Sequence, residues 1–258
     1  MHKVYFVGCG PGDPDLITVK AKKLLQKADV VVYSGSLIPE KILGMCKKAK
    51  MHDASGLIRE EIFDILSKNA KRGKTVVRLH DGDPAIYGAI REQTDSLQKE
   101  GIEFEVVPGV TSFLASSAAL GLQLTLPGIT QTIIITRAEK RTKVPRQEQI
   151  SELAKHKSTM IFYLSVHLLS DIVKEAVKGG YALSTPAAVV YRASWPDQKV
   201  ITGTLSDIVK KVWAEKITRT AIVIIGDVIQ PKSYEYSKLY DKSFSHGYRK
   251  AKARQNLK

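Results

Sequence analysis

Cysteine is almost absent. Only Cys9 and Cys46 occur in 258 residues, with no CxxC pair, which excludes a disulfide framework and a zinc knuckle. The six histidines are scattered at no metal-ligand spacing, so no protein-held metal is expected. Long apolar runs are missing too, since none reaches the roughly 18 residues of a membrane span. The N-terminus, Met1-His2-Lys3-Val4-Tyr5-Phe6-Val7, enters a strand pattern at once and shows no secretory leader, so the expected compartment is the cytoplasm. Both common phosphate fingerprints are also lacking. In Gly8-Cys9-Gly10-Pro11-Gly12-Asp13, Pro11 and Asp13 stand where a phosphate needs free N–H donors and no negative charge, and there is no GKS or GKT. NAD and ATP are disfavoured on that ground.

What is present is the composition of a soluble globular chain, 43% hydrophobic and 26% charged. Its length allows one large domain or two of about 100–130 residues each. The net charge of +14 divides unevenly. Residues 232–258 hold eight Lys or Arg against Glu235 and Asp241, so this tail carries +6 and the body +8. A basic tail reads as a solvated, flexible end, dispensable for chemistry. The basic body favours an anionic ligand through long-range attraction.

Along the chain, apolar strands alternate with amphipathic helices, the signature of a largely parallel α/β sheet. Strands are expected at 4–8, 30–33, 75–79 and 103–107, with helices from Ile17 to Ala28, over 38–46, over 57–71 and ahead of Lys99. Residues 121–128 read as a linker. A second α/β unit follows, with strands at 131–136, 159–164, 187–192, 198–204 and 220–226, and helices at 146–155, 167–178 and 206–214. The short gap between 187–192 and 198–204 predicts an antiparallel hairpin. The domains expected are 1–120 and 121–231, followed by the tail at 232–258.

The stretch with most chemistry is Arg78-Leu79-His80-Asp81-Gly82-Asp83-Pro84-Ala85-Ile86-Tyr87-Gly88. A buried strand ends there in an acidic, glycine-containing turn, and ligands of open α/β sheets bind at such carboxyl ends. Asp83 before Pro84 predicts a helix N-cap, with the helix starting near Ala85. An ordinary strand–helix turn is the alternative. Pro108-Gly109-Val110-Thr111-Ser112 forms a second turn of this kind, ahead of a helix rich in small residues.

Four segments together resemble the tetrapyrrole methylase family: GCGPGDPDLIT at 8–18, GDPAIYG at 82–88, VVPGVTS at 106–112 and WPDQKVITGTL at 195–205. The likeness runs from Val4 to about Val228. Within the family the chain looks most like the branch that methylates carbon 11 of a corrin precursor. That likeness rests on 80–90, Thr130-Gln131-Thr132, Thr136-Arg137-Ala138-Glu139 and Ala193-Ser194-Trp195-Pro196-Asp197, with Lys140 where that branch has glycine. The resemblance implies two α/β domains, S-adenosylmethionine in the cleft between them, S-adenosylhomocysteine as product, and a homodimer. It implies a polycarboxylate tetrapyrrole as substrate, and neither nucleic acid nor membrane as partner.

Carried over by matched position, the resemblance implies cofactor contacts at Pro11, Asp81, Gly82, Asp83, Ile86, Thr111, Ser112, Leu164, Ala193, Thr220 and Ala221. Plain core is the alternative for Leu164 and Ala221, and a turn role for Thr111 and Ala193. Arg78, Arg91, Arg137, Arg141 and Arg192 are candidates for bidentate contact with substrate carboxylates, against a solvated or structural role. Tyr87 and Trp195 could stack on the ring or simply pack. His80 is a candidate general base by its ordinary pKa, with a satisfied structural histidine as the stronger alternative. Competing functions are methylation of another ring carbon (C2, C17 or C20), RNA methylation suggested by Lys140, Arg141, Lys143 and Arg146, and a non-catalytic nucleotide-binding module. Against RNA, no aromatic is interleaved with the basic residues of 137–146.

Overall fold

The computed structural model describes residues 3–251. The chain groups into two compact units. The first runs through Leu120 and also takes in Val190–Val200 and Thr220–Ile222; the second holds Gly121–Val189, Ile201–Arg219 and the chain from Val223 onward. The grouping therefore departs from a single break after residue 120.

In the first unit the elements follow in order: β1 (Lys3–Gly8), α1 (Val19–Lys27), β2 (Val30–Tyr33), α2 (Glu40–Leu43), β3 (Lys50–Asp53), α3 (Arg59–Lys71), β4 (Val76–His80), α4 (Arg91–Lys99), β5 (Glu103–Val107) and α5 (Ser112–Leu120). The sheet order is β3-β2-β4-β1-β5, and its recorded pairings are parallel. Strand alternation divides the core. Val7, Val31, Val77 and Leu79 pack on one face with Leu25 of α1. Val4, Phe6, Val30, Val32 and Val76 pack on the other with Leu66 of α3 and Leu97 of α4. All five residues of β4 are buried, as expected of a parallel strand covered on both faces. Thr18 caps α1, its Oγ1 accepting from the Ala21 N–H at 3.2 Å.

Two expectations are corrected here. β3, Lys-Met-His-Asp, is an edge strand with no β-branched residue, so the apolar pattern did not reveal it. The helix expected from Ala85 begins only at Arg91. Tyr87 and Ala89 take left-handed backbone, φ 56° and 48°, which no helix can pass through. Asp83 is not a helix cap but closes a local turn, its Oδ1 accepting from the Ala85 N–H at 2.8 Å.

The remaining elements are β6 (Ile133–Arg137), α6 (Ile150–Leu153), β7 (Thr159–Tyr163), α7 (Leu169–Lys178), β8 (Pro186–Tyr191), β9 (Lys199–Thr204), α8 (Ile208–Ala214) and β10 (Ala221–Ile225). They form a sheet of order β6-β7-β10-β8-β9. β6 and β7 are parallel, whereas β7 and β10 are antiparallel. β8 and β9 are neighbours joined by 192–198, too short a connection for a parallel crossover, so they form the expected hairpin. The helix expected at 146–155 is split into two 3-10 turns around α6. Residues 232–251 are not featureless: they contain a 3-10 turn at Lys238–Tyr240 and an isolated bridge between His246 and Arg249. Residues 252–258 of the basic tail lie outside the described residues.

Candidate active site

The central strands β4, β1 and β5 end side by side, and their carboxyl-terminal loops are stitched together by backbone. The Cys9 N–H donates to His80 O at 2.9 Å; Gly10 and Gly82 exchange N–H···O bonds at 3.2 and 2.8 Å. The closeness of these bonds depends on residues without side chains. A Cβ on Gly8 would lie 2.5 Å from Gly82 O and 2.8 Å from Gly109 N; one on Gly109 would collide with Gly82 O and sit 2.9 Å from the Gly8 carbonyl carbon. Gly82 differs, because a Cβ there would meet nothing closer than 3.7 Å and the constraint is its φ of +58°. Asp83 closes the junction: Oδ2 accepts from the Gly109 N–H at 2.9 Å while Oδ1 holds Ala85. Both carboxylate oxygens therefore bind backbone, and Asp83 ties the β4 loop to the Gly109 loop.

The segment between β8 and β9 belongs to the same unit and locks the β1 loop. Trp195 Nε1 donates to Pro11 O at 2.8 Å, Ser194 Oγ accepts from the Asp13 N–H at 2.9 Å, and the Trp195 indole lies against Gly12. The Arg192 guanidinium covers the Trp195 ring at 3.9 Å and pairs with Asp197 at 2.5 Å. Arg192 N–H donates to Thr220 O at 2.9 Å, bringing the start of β10 beside this loop. Ala193 packs with Val190 and with Ala115 of α5. Thr111 is buried ahead of α5, Ser112 opens that helix, and Ile86 is half-buried. Pro11, Gly82, Thr111, Ala193, Thr220 and Ala221 thus fall in one unit, on neighbouring loops.

Leu164 is in the second unit. It is 65% exposed at φ 54°, a rare combination for a leucine. Ser165 beside it ties the loops leaving β6 and β7, its Oγ accepting from the Ala138 N–H at 2.7 Å and donating to Tyr163 O at 2.6 Å. Of the eight left-handed non-glycine residues described, Tyr87, Ala89, Leu164, Arg192, Ser194 and Thr220 lie at or near positions that the resemblance pointed to, while Lys157 and Lys216 do not. Such conformations are held only where surrounding contacts over-determine them, and they collect at functional sites.

Beneath the β4 loop lies a buried polar pair. Arg78 donates to Val32 O (3.2 Å), Leu79 O (3.3 Å) and Ser34 Oγ (3.2 Å), and burial brings its guanidinium down to about 10. That removes it from the exposed carboxylate contacts proposed on the sequence. His80 is 4% exposed, and burial, with Arg78 adding repulsion, lowers it to about 3. The imidazole is neutral, packs near the Phe6 ring and has no partner at Nε2. A base so weak does not serve proton abstraction, which favours the structural alternative. Asp81 reaches the open surface of the loop; partial desolvation pushes its carboxyl up and Arg78 opposes this.

Other candidate arginines are also occupied. Arg91 pairs with Asp95 at 2.9 Å. Arg137 donates to Thr142 O (2.8 Å) and Lys143 O (2.9 Å), folding 138–143 around itself. In that loop Lys140 takes no left-handed conformation. Arg141 is exposed, with no hydrogen bond or ion pair among the described residues. Tyr87 is 44% exposed. Gly8, Gly109 and Ser194 stood in the motifs read from the sequence but were not named as site residues, and Ser165 was not named at all. The signal for the first two was a glycine closing or following each of two adjacent strands. Among the described residues no three His, Cys, Asp or Glu come together to hold a metal ion, and no helix is long and apolar enough to cross a membrane.

The arrangement offers backbone and one open carboxylate, with Pro11 and Pro84 removing N–H donors. It suits a nucleoside bearing an ammonium group and does not suit a polyphosphate. The family model for Tetrapyrrole (Corrin/Porphyrin) Methylases matches residues 3–209. The chain is 53% identical to a cobalt-precorrin-4 C(11)-methyltransferase of Methanocaldococcus jannaschii, over 97% of both chains. Residues 232–258 exceed a tenth of the chain, so that match extends into them. A solved cobalt precorrin-4 methyltransferase superposes with a TM-score of 0.87 at 44% identity, covering 89% of this chain and 97% of its own. A uroporphyrin-III C-methyltransferase of Thermus thermophilus, solved with S-adenosylhomocysteine, gives 0.75 at 31% identity over 90% and 96%.

Proposed function

Because the chain belongs to the tetrapyrrole methylase family, we propose that it transfers a methyl group from S-adenosylmethionine to carbon 11 of precorrin-4, in its cobalt or metal-free form, in corrin ring synthesis. The observation that carries this is the near full-length 53% identity to the archaeal enzyme of that name. The glycine junction fits the donor, since it supplies close backbone and no competing cation.

S-adenosylmethionine brings a methyl carbon already activated by its sulfonium, so the protein need only hold an electron-rich carbon about 3 Å from it and exclude water. Pro11, Gly82, Ile86, Thr111, Ser112, Ala193, Thr220 and Ala221 are the residues we assign to the donor. Asp81 supplies a carboxylate that accepts from its ammonium or hydroxyl groups. Asp83 acts through Gly109, and Arg78 and His80 support the β4 loop from below. Arg141 and Tyr87 remain the candidates for substrate contact. The enzyme works in the cytoplasm as a homodimer, which sedimentation at twice 28.5 kDa would support.

The test incubates pure protein with carbon-13-labelled donor and with precorrin-4 or cobalt-precorrin-4. One added methyl whose NMR shift places it on carbon 11 is expected. A methyl on another carbon, or none with either substrate, overturns the reading.

A further inference from the structure

Residues 234–250 fold on themselves around a single arginine. The Arg249 guanidinium donates to Leu239 O (2.7 Å), Asp241 O (2.6 Å), Tyr240 O (3.4 Å) and Phe244 O (3.4 Å). Asp241 Oδ1 accepts from both the N–H and the hydroxyl of Ser243. His246 and Arg249 exchange backbone bonds at 2.8 and 3.0 Å, and Ser245 Oγ accepts from the Ala251 N–H at 2.8 Å. This is a built turn that half-buries Tyr234 and Phe244 but leaves three other tyrosines open. Tyr248 is 100% exposed, Tyr236 85% and Tyr240 80%. Lys238, Lys242 and Lys250 are exposed among them, and only Glu235 and Asp241 oppose their charge.

Exposed aromatic faces interleaved with ammonium groups, on a segment ordered by its own hydrogen bonds, need an occupant that is both flat and anionic. A second copy of this chain fits poorly, because its body carries +8. We propose that this C-terminal element captures the substrate: Tyr236, Tyr240 and Tyr248 take the faces of the macrocycle while Lys238, Lys242 and Lys250 pair with its peripheral carboxylates. The inference rests on the proposed function for the substrate class. The match to the archaeal enzyme covers 97% of this chain and so reaches into this stretch, and an anionic aromatic surface would meet both the exposed rings and the charges.

The experiment uses the whole chain and two variants, Tyr236→Ser/Tyr240→Ser/Tyr248→Ser and Lys238→Gln/Lys242→Gln/Lys250→Gln. Uroporphyrin III, a stable octacarboxylate porphyrin, serves as the binding probe by fluorescence titration. S-adenosylhomocysteine affinity by calorimetry reports that the rest of the molecule is intact. The expected result is at least tenfold weaker porphyrin binding in each variant, a similar rise in KM for the corrin precursor, and unchanged S-adenosylhomocysteine affinity. Wild-type porphyrin binding should also fall steeply with added salt, and less so in the lysine variant. Unchanged porphyrin affinity in both variants overturns the inference, whether or not the wild type methylates carbon 11. Variants that lose porphyrin while a single-stranded RNA oligonucleotide binds the wild type at least tenfold more tightly would also overturn it. Failure of the wild type to methylate any precursor, with tail-dependent porphyrin binding retained, would sink only the assigned reaction.

Discussion

Gly109→Ala should damage this protein far more than Gly82→Ala, although Gly82 occupies the more conspicuous motif. At 109 a Cβ would collide with Gly82 O and lie 2.9 Å from the carbonyl carbon and 3.0 Å from the Cα of Gly8. All three are main-chain atoms, which cannot rotate away. Forced overpacking of this kind costs about 1–3 kcal/mol. Moving the β5 loop also breaks the 2.9 Å bond from the Gly109 N–H to Asp83, and hydrogen bonds to charged groups contribute about 1.5–3 kcal/mol each. Together they give roughly 3–5 kcal/mol, or a fall of about 6–20 °C in melting temperature for a chain of this size. At 82 the nearest neighbours are 3.7 Å away, so the cost there is the left-handed backbone alone, about 1–2 kcal/mol. Differential scanning calorimetry, with S-adenosylhomocysteine titrations on both variants, measures the contrast. Gly109→Ala should also lose at least tenfold in ligand affinity, because three loops separate. If it melts like the wild type and binds normally, the three strand ends are not packed backbone on backbone and the proposed site loses its frame.

Three further outcomes follow from individual contacts. Asp83→Asn keeps one acceptor oxygen but must either lose the Ala85 bond or turn an NH2 towards the Gly109 N–H, so stability should fall by about 1–3 kcal/mol in chemical denaturation. His80 is depressed to about 3 in the folded state, so the unfolded chain takes up its proton first as pH falls below about 6.5. Stability contributed by the neutral imidazole is present above that pH and is lost as pH falls from about 6.5 towards 3, at up to about 1.4 kcal/mol per pH unit; His80→Phe should remove one proton from this slope, and an unchanged slope would refute the burial argument. Trp195→Phe removes the indole donor to Pro11 O and should cost about 1 kcal/mol while weakening S-adenosylhomocysteine binding, since the β1 loop loses its brace.

Where burial decides structure, the sequence was readable. β-branched runs such as Val30–Tyr33 and Ala221–Ile225 announce strands because a sheet covered on both faces admits little else. Lys50–Asp53 escaped because an edge strand is held by one neighbour's backbone and asks nothing of its side chains. Ala85-Ile86-Tyr87 escaped for the opposite reason. These residues favour a helix locally, but Asp83 is held by the Gly109 loop 26 residues further on, and Tyr87 and Ala89 take left-handed backbone that no helix can pass through.

The same distance dependence explains why loops could be read and individual side chains could not. A glycine at the end of a strand is visible in one dimension, and its requirement for close approach follows from neighbouring strands ending in register. An arginine gives no such sign. Arg137 and Arg249 spend their guanidiniums on carbonyls of their own loops, Arg78 on the end of β2, and Arg192 on Asp197 and Trp195. A guanidinium has five donors and no acceptor, so a chain turning near it will satisfy itself there before any substrate arrives. Arg141 and the three lysines of the C-terminal turn are exposed, and in that turn it is Arg249 rather than the lysines that takes up the carbonyls.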